Sequence, residues 1–236
     1  MYTPYHIYPC GDHAVTIELG DGINPAVNQN VISLFQYLTE HKIEGMKDMI
    51  PAYNTLTIVY DTLLLKKKNP GVPVYETISA HLQKAASLAN EKSAAQARLV
   101  KIPVCYNPSL APDLVSLAET HQLSVDEVIR LHTARTYRVY MIGFLPGFAY
   151  MGSVDEKIIT PRKTQPRTMV PAGSVGIAGE QTGIYPFDSP GGWQLIGQTY
   201  IQMFDAEKET PCYLQPGDEV QFFPVSIAEF EKGKNI

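Results

Sequence analysis

Apolar and polar positions alternate with period two at Val15, Ile17 and Leu19 around Thr16 and Glu18, which predicts a half-buried strand. Asn24-Pro25 then supplies a cap and a first-turn proline. Val27, Val31, Leu34, Phe35 and Leu38 follow at helical spacing. Residues 46–52 and 55–60 read as two strands joined at Tyr53-Asn54. A second helix begins after Pro73, with Val74, Ile78, Leu82, Ala85 and Leu88 on one face. The small, polar stretch 87–96 predicts that this helix runs out into a linker. With 100–105 as a further strand, the order β-α-β-β-α-β predicts an α+β N-terminal domain of the split βαβ, ferredoxin-like kind over residues 1–95. That last strand equally well opens the next domain.

From about residue 98 the pattern changes. Pro112 starts one short helix, and Ser124-Val-Asp-Glu127 is a capping box for another that ends near His132. Short strands follow at 137–142, 168–170, 174–178, 194–203 and 219–225, the last after the Pro216-Gly217-Asp218 turn. Many short strands with Gly and Pro corners predict a closed or nearly closed, mainly β barrel over residues 96–236.

Charge and composition narrow the function. The 236-residue chain carries a net charge of −5, against nucleic acid as a partner, since phosphate backbones need a concentrated basic surface. The one dense basic run, Lys66-Lys67-Lys68 before Asn69-Pro70-Gly71, reads as a solvated turn. No apolar stretch approaches the ~20 residues that span a bilayer, and the first residues lack the pattern of a signal peptide. Cys10, Cys105 and Cys212 are widely spaced with no C-x-x-C pair, as expected of reduced thiols in a cytoplasmic protein. No His pair has metal-ligand spacing, so no metal site is expected. Phosphate-loop and dinucleotide-binding glycine motifs are also missing. Ala172-Gly-Ser-Val-Gly176 only mimics a nucleophile elbow, because Ala172 stands at the first glycine position.

The chemistry-bearing residues fall in 137–199. Ten of the 17 glycines lie between Gly143 and Gly197. They serve either tight barrel corners or close approach of a ligand to main-chain amides. Between glycine turns, Arg162, Lys163 and Arg167 place three cations within six residues, with Asp155 upstream. Guanidinium groups grip carboxylates and phosphates in a bidentate way, and lysine adds a point charge. The run is either a solvated loop or an anion clamp. Gly179-Glu180-Gln181-Thr182-Gly183 reads as a tight loop offering an acid, an amide and a hydroxyl to a small polar amide or lactam. Trp193, the single tryptophan, is either a barrel plug or a wall of the site. His132, at a helix end, is either structural or a ligand contact.

Gly143-Phe-Leu-Pro-Gly-Phe-Ala-Tyr150, Thr160-Pro-Arg-Lys163, Pro166-Arg167, the run from Val170 to Pro186, and Ser189-Pro-Gly-Gly-Trp-Gln-Leu-Ile-Gly197 together resemble the signature of the allophanate hydrolase subunit 1 / KipI family. Gly11-Asp12-His13-Ala14 adds a match near the start. The resemblance implies a small α+β domain followed by a cyclophilin-like barrel. It also implies the B component of a heteromeric, ATP-dependent 5-oxoprolinase, which opens the lactam of 5-oxo-L-proline to L-glutamate. The A and C components would be the partners, C the closer, and ATP with Mg2+ the co-substrate of the complex rather than a cofactor of this chain. In the related carboxyltransferases an aspartate stands eight residues before the motif lysine, as Asp155 stands before Lys163. Asp155, Lys163 and Arg162 are therefore the expected catalytic residues. Arg167, Gly179, Gln181, Thr182, Trp193 and His132 are the expected substrate contacts. Gln198 departs from the family pattern, where many members carry arginine after the Ile-Gly pair.

Two other readings compete. One is a carboxyltransferase component acting on urea or a related amide. It needs a biotinylated carrier, for which this chain supplies no attachment lysine. The other is a KipI-like inhibitor of a sporulation histidine kinase, which needs a partner-facing surface and no Asp155–Lys163 pair. A prolyl isomerase, suggested by the barrel, rests on fold analogy alone.

Overall fold

The computed structural model describes residues 5–89 and 97–234. The chain divides into two compact units, Met1–Gln96 and Ala97–Ile236. The linker expected at 87–96 falls largely outside the described residues.

The first unit contains β1 (His6–Pro9), β2 (Ala14–Glu18), α1 (Pro25–Glu40), β3 (Met46–Pro51), β4 (Thr55–Tyr60), α2 (Thr62–Lys68) and α3 (Val74–Ala89). Asn24 caps α1 by accepting a hydrogen bond from the Ala26 N–H, as its position before Pro25 predicts. The sheet order is β1-β2-β4-β3, with every neighbour antiparallel. Alternation puts Leu56, Ile58 and Tyr60 of β4 and Val15 and Ile17 of β2 into one core with Val31, Leu34 and Leu38 of α1 and Ile78, Leu82 and Ala85 of α3. Two expectations change. The outer strand beside β2 is β1, from the start of the chain, because residues 100–105 pair inside the second unit. Lys66, Lys67 and Lys68 are exposed but helical: they form the last turn of α2, where cations favour the negative helix end.

The second unit contains β5 (Leu99–Cys105), α4 (Leu114–Thr120), α5 (Val125–Thr133), β6 (Thr136–Ile142), β7 (Ala149–Gly152), a 3-10 turn (Glu156–Ile158), β8 (Arg167–Val170), β9 (Ser174–Ala178), β10 (Gln181–Ile184), β11 (Ser189–Gly191), β12 (Gln194–Gln198), β13 (Glu219–Val225) and α6 (Ile227–Lys234). Seven strands close a barrel in the order β10-β7-β6-β13-β5-β12-β9, sealed by β9 against β10. Within it β5 and β13 run parallel. The barrel core gathers Ile102, Val104, Tyr137, Val139, Met151, Val175, Ile177, Ile184, Ile196 and Phe222, with Leu114 and Leu117 of α4 and Val128 and Leu131 of α5 packed on it. Ser124 caps α5 through the Glu127 N–H, the expected capping contact.

Three strand expectations are corrected. The strand expected over 194–203 stops at Gln198, where the chain turns and the Thr199 hydroxyl takes up the Ile201 N–H. β7 is an additional strand, and the expected ligand loop at 179–183 is mostly β10, paired on both sides. Outside the barrel, β8 and β11 form a two-stranded ribbon, with Ser189 opposite Val170 and Gly191 opposite Arg167. The cation run leads into this ribbon.

Candidate functional site

The cation run 161–167 leaves the barrel at an isolated bridge, Thr160 to Gly179, and enters β8. Its backbone is tied to the chain leading into β12. The Lys163 N–H donates to the Gly192 carbonyl at 2.7 Å, and the Gln194 side-chain amide donates to the Pro161 carbonyl at 3.0 Å. Gly191 is required here, because a Cβ at that position would lie 2.4 Å from the Tyr185 hydroxyl.

The organising carboxylate is Asp113, at the N-cap position of α4. Its side chain makes no capping bond. One oxygen, Oδ1, accepts from Lys163 Nζ at 2.9 Å and from Arg167 Nη2 at 2.6 Å. The other, Oδ2, accepts from the Leu195 N–H at 2.7 Å, while the Asp113 N–H donates to the Leu195 carbonyl at 3.0 Å. Asp113 is 3% exposed. Burial pushes its carboxyl upward, but hydrogen bonds from Arg167, the Leu195 amide and Lys163 outweigh that and hold it below the usual carboxylate range. Lys163 and Arg167 keep 32% and 25% of their side chains accessible, so the cluster opens to solvent on the cation side. Arg167 Nη1 and the Ser189 hydroxyl, both on the ribbon, are buried without a hydrogen-bond partner.

An aromatic wall stands beside the cations. Arg162 is exposed and lies with its Cζ 5.8 Å from the centre of the Trp193 ring, within cation–π range. Trp193 is itself buried and meets Phe148 edge-on at 5.4 Å and Tyr150 at 6.0 Å. It is thus both core plug and wall. Burial raises the pKa of the neighbouring Tyr185 phenol, against a hydrogen bond from the Trp193 backbone and the charges of Arg162 and Arg167.

The remaining expected residues lie elsewhere. Asp155 does not reach Lys163. Its carboxylate accepts from the Lys157 N–H at 3.1 Å and from Arg135 at 3.0 Å, and these two keep its pKa low. Spacing along the sequence suggests the Asp155–Lys163 pair; Arg135, preceding β6, captures the aspartate first.

His132 and Thr182 are fully buried, away from the solvent-facing side of the cation cluster. The Thr182 hydroxyl donates to the Gly176 carbonyl, so it accepts from His132 Nε2 at 3.0 Å. That leaves Nδ1 to accept from the Tyr106 hydroxyl at 2.8 Å. The imidazole stacks on Phe222 at 4.7 Å, and burial depresses its pKa to about 3. This is a neutral, structural histidine. Gly179, in the left-handed region at φ +59°, makes the β9–β10 turn with open space where a side chain would be. Gln181 is half-buried within β10. Gln198 donates to the Ala172 carbonyl at 2.6 Å, a tie within the barrel unit.

Asp113 escapes a sequence reading because an aspartate after a proline at a helix start looks like an ordinary cap. Nothing local signals that its carboxylate turns to cations 50 and 54 residues away. Among the described residues, no group of three or more His, Cys, Asp or Glu side chains is placed to hold a metal ion, and no helix is long and apolar enough to cross a membrane. Chemically, the arrangement presents three cations against one buried carboxylate. The excess positive charge, set against aromatic surface, suits a small anionic group joined to an apolar or planar body.

Comparison with known proteins agrees with this anatomy. The chain is 40% identical to the B component of the 5-oxoprolinase of Bacillus subtilis, over 99% of this chain and 98% of that protein. It is also 40% identical to the corresponding B component from Haemophilus influenzae, over 94% and 99%. Urea amidolyase of Saccharomyces cerevisiae is 26% identical over 94% of this chain, which spans only 13% of that protein. Among solved structures, a conserved uncharacterized protein from Pyrococcus horikoshii is 41% identical over 95% of this chain and all of its own, with a TM-score of 0.55. The urea amidolyase of K. lactis shares the fold, with a TM-score of 0.74 at 20% identity over 98% of this chain and 15% of that one. The family model for the carboxyltransferase domain, subdomain C and D, matches residues 5–214, which include both the sheet of the first unit and the Asp113–Lys163–Arg167 cluster, and the chain belongs to that family.

Proposed function

We propose that this chain is the B component of a heteromeric, ATP-dependent 5-oxoprolinase, which opens the lactam of 5-oxo-L-proline to L-glutamate. The observation that carries the reading is the 40% identity to the B. subtilis 5-oxoprolinase component running through 99% of the chain, the cation loop included. The C component is the proposed close partner and the A component the third member. ATP, with Mg2+ as its counter-ion, serves as co-substrate of the complex in the cytoplasm.

The chemistry asks for what the site offers. An unactivated lactam is a poor electrophile because amide resonance places electron density on its carbonyl oxygen. Transfer of the terminal phosphoryl group of ATP to that oxygen, with ADP leaving, removes the resonance. One water then adds at the ring carbon, the C–N bond breaks to leave an acyl phosphate, and a second water releases phosphate and the new glutamate carboxylate. Negative charge develops on oxygen throughout, and fixed cations stabilise it most when they need not reorganise. Lys163 is assigned as the charge stabiliser. Arg162 and Arg167 hold the substrate carboxylate or the phosphoryl group, with Trp193 as the wall against the ring.

The test is glutamate release from 5-oxoproline and ATP by the three components, each omitted in turn. Activity that disappears whenever this chain is left out supports the reading. Full activity without it overturns the reading and turns attention to carboxyl transfer onto urea or a related amide.

A further inference from the structure

We infer that Asp113 is a positioning residue of the site, holding Lys163 and Arg167 in the arrangement that the reaction uses. The inference rests on the oxoprolinase reading for its kinetic consequence but not for its structural one.

An N-cap aspartate ordinarily accepts a hydrogen bond from the first turn of its helix. Asp113 forgoes that bond and commits both carboxylate oxygens elsewhere: Oδ1 to the two cations and Oδ2 to the Leu195 N–H. Its own N–H donates back to the Leu195 carbonyl, so backbone and carboxylate of Asp113 are each bonded to Leu195 of β12. Burial at 3% exposure strengthens each of these charge-assisted bonds.

The cations gain from this in two ways. Lys163 and Arg167 are long, flexible side chains on a loop and a short ribbon, and a shared anchor removes most of their rotamer freedom before substrate arrives. Lys163 and Arg167 share the one carboxylate of Asp113, so this three-residue cluster carries a net positive charge. Arg167 bonds Asp113 through Nη2 alone and keeps Nη1 unpaired. Asp113 is distant from the cation run in sequence but in contact with it, and its bonds to β12 tie that run to the strand that follows Trp193.

Asp113→Asn and Asp113→Ser test this, the serine variant because serine is itself a good helix cap if the amide disturbs folding. In the assembled complex each should lower kcat by about tenfold or more, as expected when a charge stabiliser is misplaced. Combined with Lys163→Gln and Arg167→Gln together, Asp113→Asn should add no further loss, because it acts through those two cations. A merely structural role would instead multiply the two losses. Independently of turnover, trypsin should cut after Lys163 and Arg167 about tenfold faster in the variants than in the unaltered chain, with cleavage elsewhere unchanged. Unaltered cleavage at these two bonds, or full multiplication of the kinetic losses, overturns the inference. If the unaltered complex opens no lactam, the functional reading falls, and the trypsin result alone decides Asp113.

Discussion

Two polar clusters in the barrel unit use similar materials to opposite ends. Around His132, the Tyr106 hydroxyl, the imidazole, the Thr182 hydroxyl and the Gly176 carbonyl form a chain in which every donor finds an acceptor, and the whole is buried and neutral. Around Asp113 the groups are charged, one side stays open to solvent, and a guanidinium nitrogen is left without a partner. A buried polar group left unpaired costs about 1–3 kcal/mol, so a satisfied network stabilises while an unsatisfied one waits for something. Satisfaction separates the two more sharply than residue type does. Histidine and threonine, the types usually suspected of catalysis, hold the barrel together, and an aspartate at a helix start organises the site.

Variants sharpen this comparison. Lys163→Ala should reduce turnover of the assembled complex by about 100-fold or more, the loss expected for a donor that stabilises developing charge. Its melting temperature should stay within about 3 °C, because the partly exposed lysine leaves Asp113 to Arg167 and the Leu195 N–H. Near-normal turnover would remove Lys163 from its role.

His132→Leu should do the reverse. Leaving the Tyr106 hydroxyl without its acceptor and the Thr182 oxygen without its histidine donor should cost about 3 kcal/mol and lower the melting temperature by about 6–12 °C, with activity per folded molecule little changed. A kinetic loss without a stability loss would return His132 to the site.

The same network predicts a pH dependence. His132 has its pKa depressed to about 3 in the folded state, against 6.5 for the ordinary group. Between these values the unfolded chain binds a proton that the folded chain refuses. This contribution to stability is therefore complete above pH 6.5 and falls by about 1.4 kcal/mol per unit as pH drops toward 3. Chemical denaturation between about pH 7.5 and 5 should show this slope, and His132→Gln should flatten it.

Arg162→Ala should raise KM for the lactam by about fivefold, the scale of one exposed cation contact, with little change in melting. The smallest effect should come from Asp155→Asn. It breaks a surface pair with Arg135 worth less than about 1 kcal/mol and leaves the Asp113–Lys163 contact intact. Loss of turnover in that variant would restore Asp155 as a reacting group.

The legible parts of the fold are those set by near neighbours in sequence. α1 and α3 follow their apolar spacing, and Asn24 and Ser124 make the capping bonds their positions predict. β4 shows its period two as alternate burial. β7, β10 and β11 are not legible because they are short, with glycine in each, and pairing rather than local pattern defines them. The ligand loop expected at 179–183 has the same cause. Glycine there looks like a flexible turn, whereas Gly183 lies in β10 against Phe148 and Trp193, where a Cβ would be crowded at 3.0–3.1 Å.

At the site, the sequence by itself determined that Arg162, Lys163 and Arg167 stand within six residues of one another, and left open whether they make a solvated loop or an anion clamp. It also placed Trp193 and the glycines around them. Only the tertiary structure decided which carboxylate they meet. Coulomb attraction depends on separation in space and on how much water lies between the charges. Asp155, eight residues from Lys163, is taken by Arg135, while Asp113, 50 residues away, is carried into contact by the docking of α4 on β12.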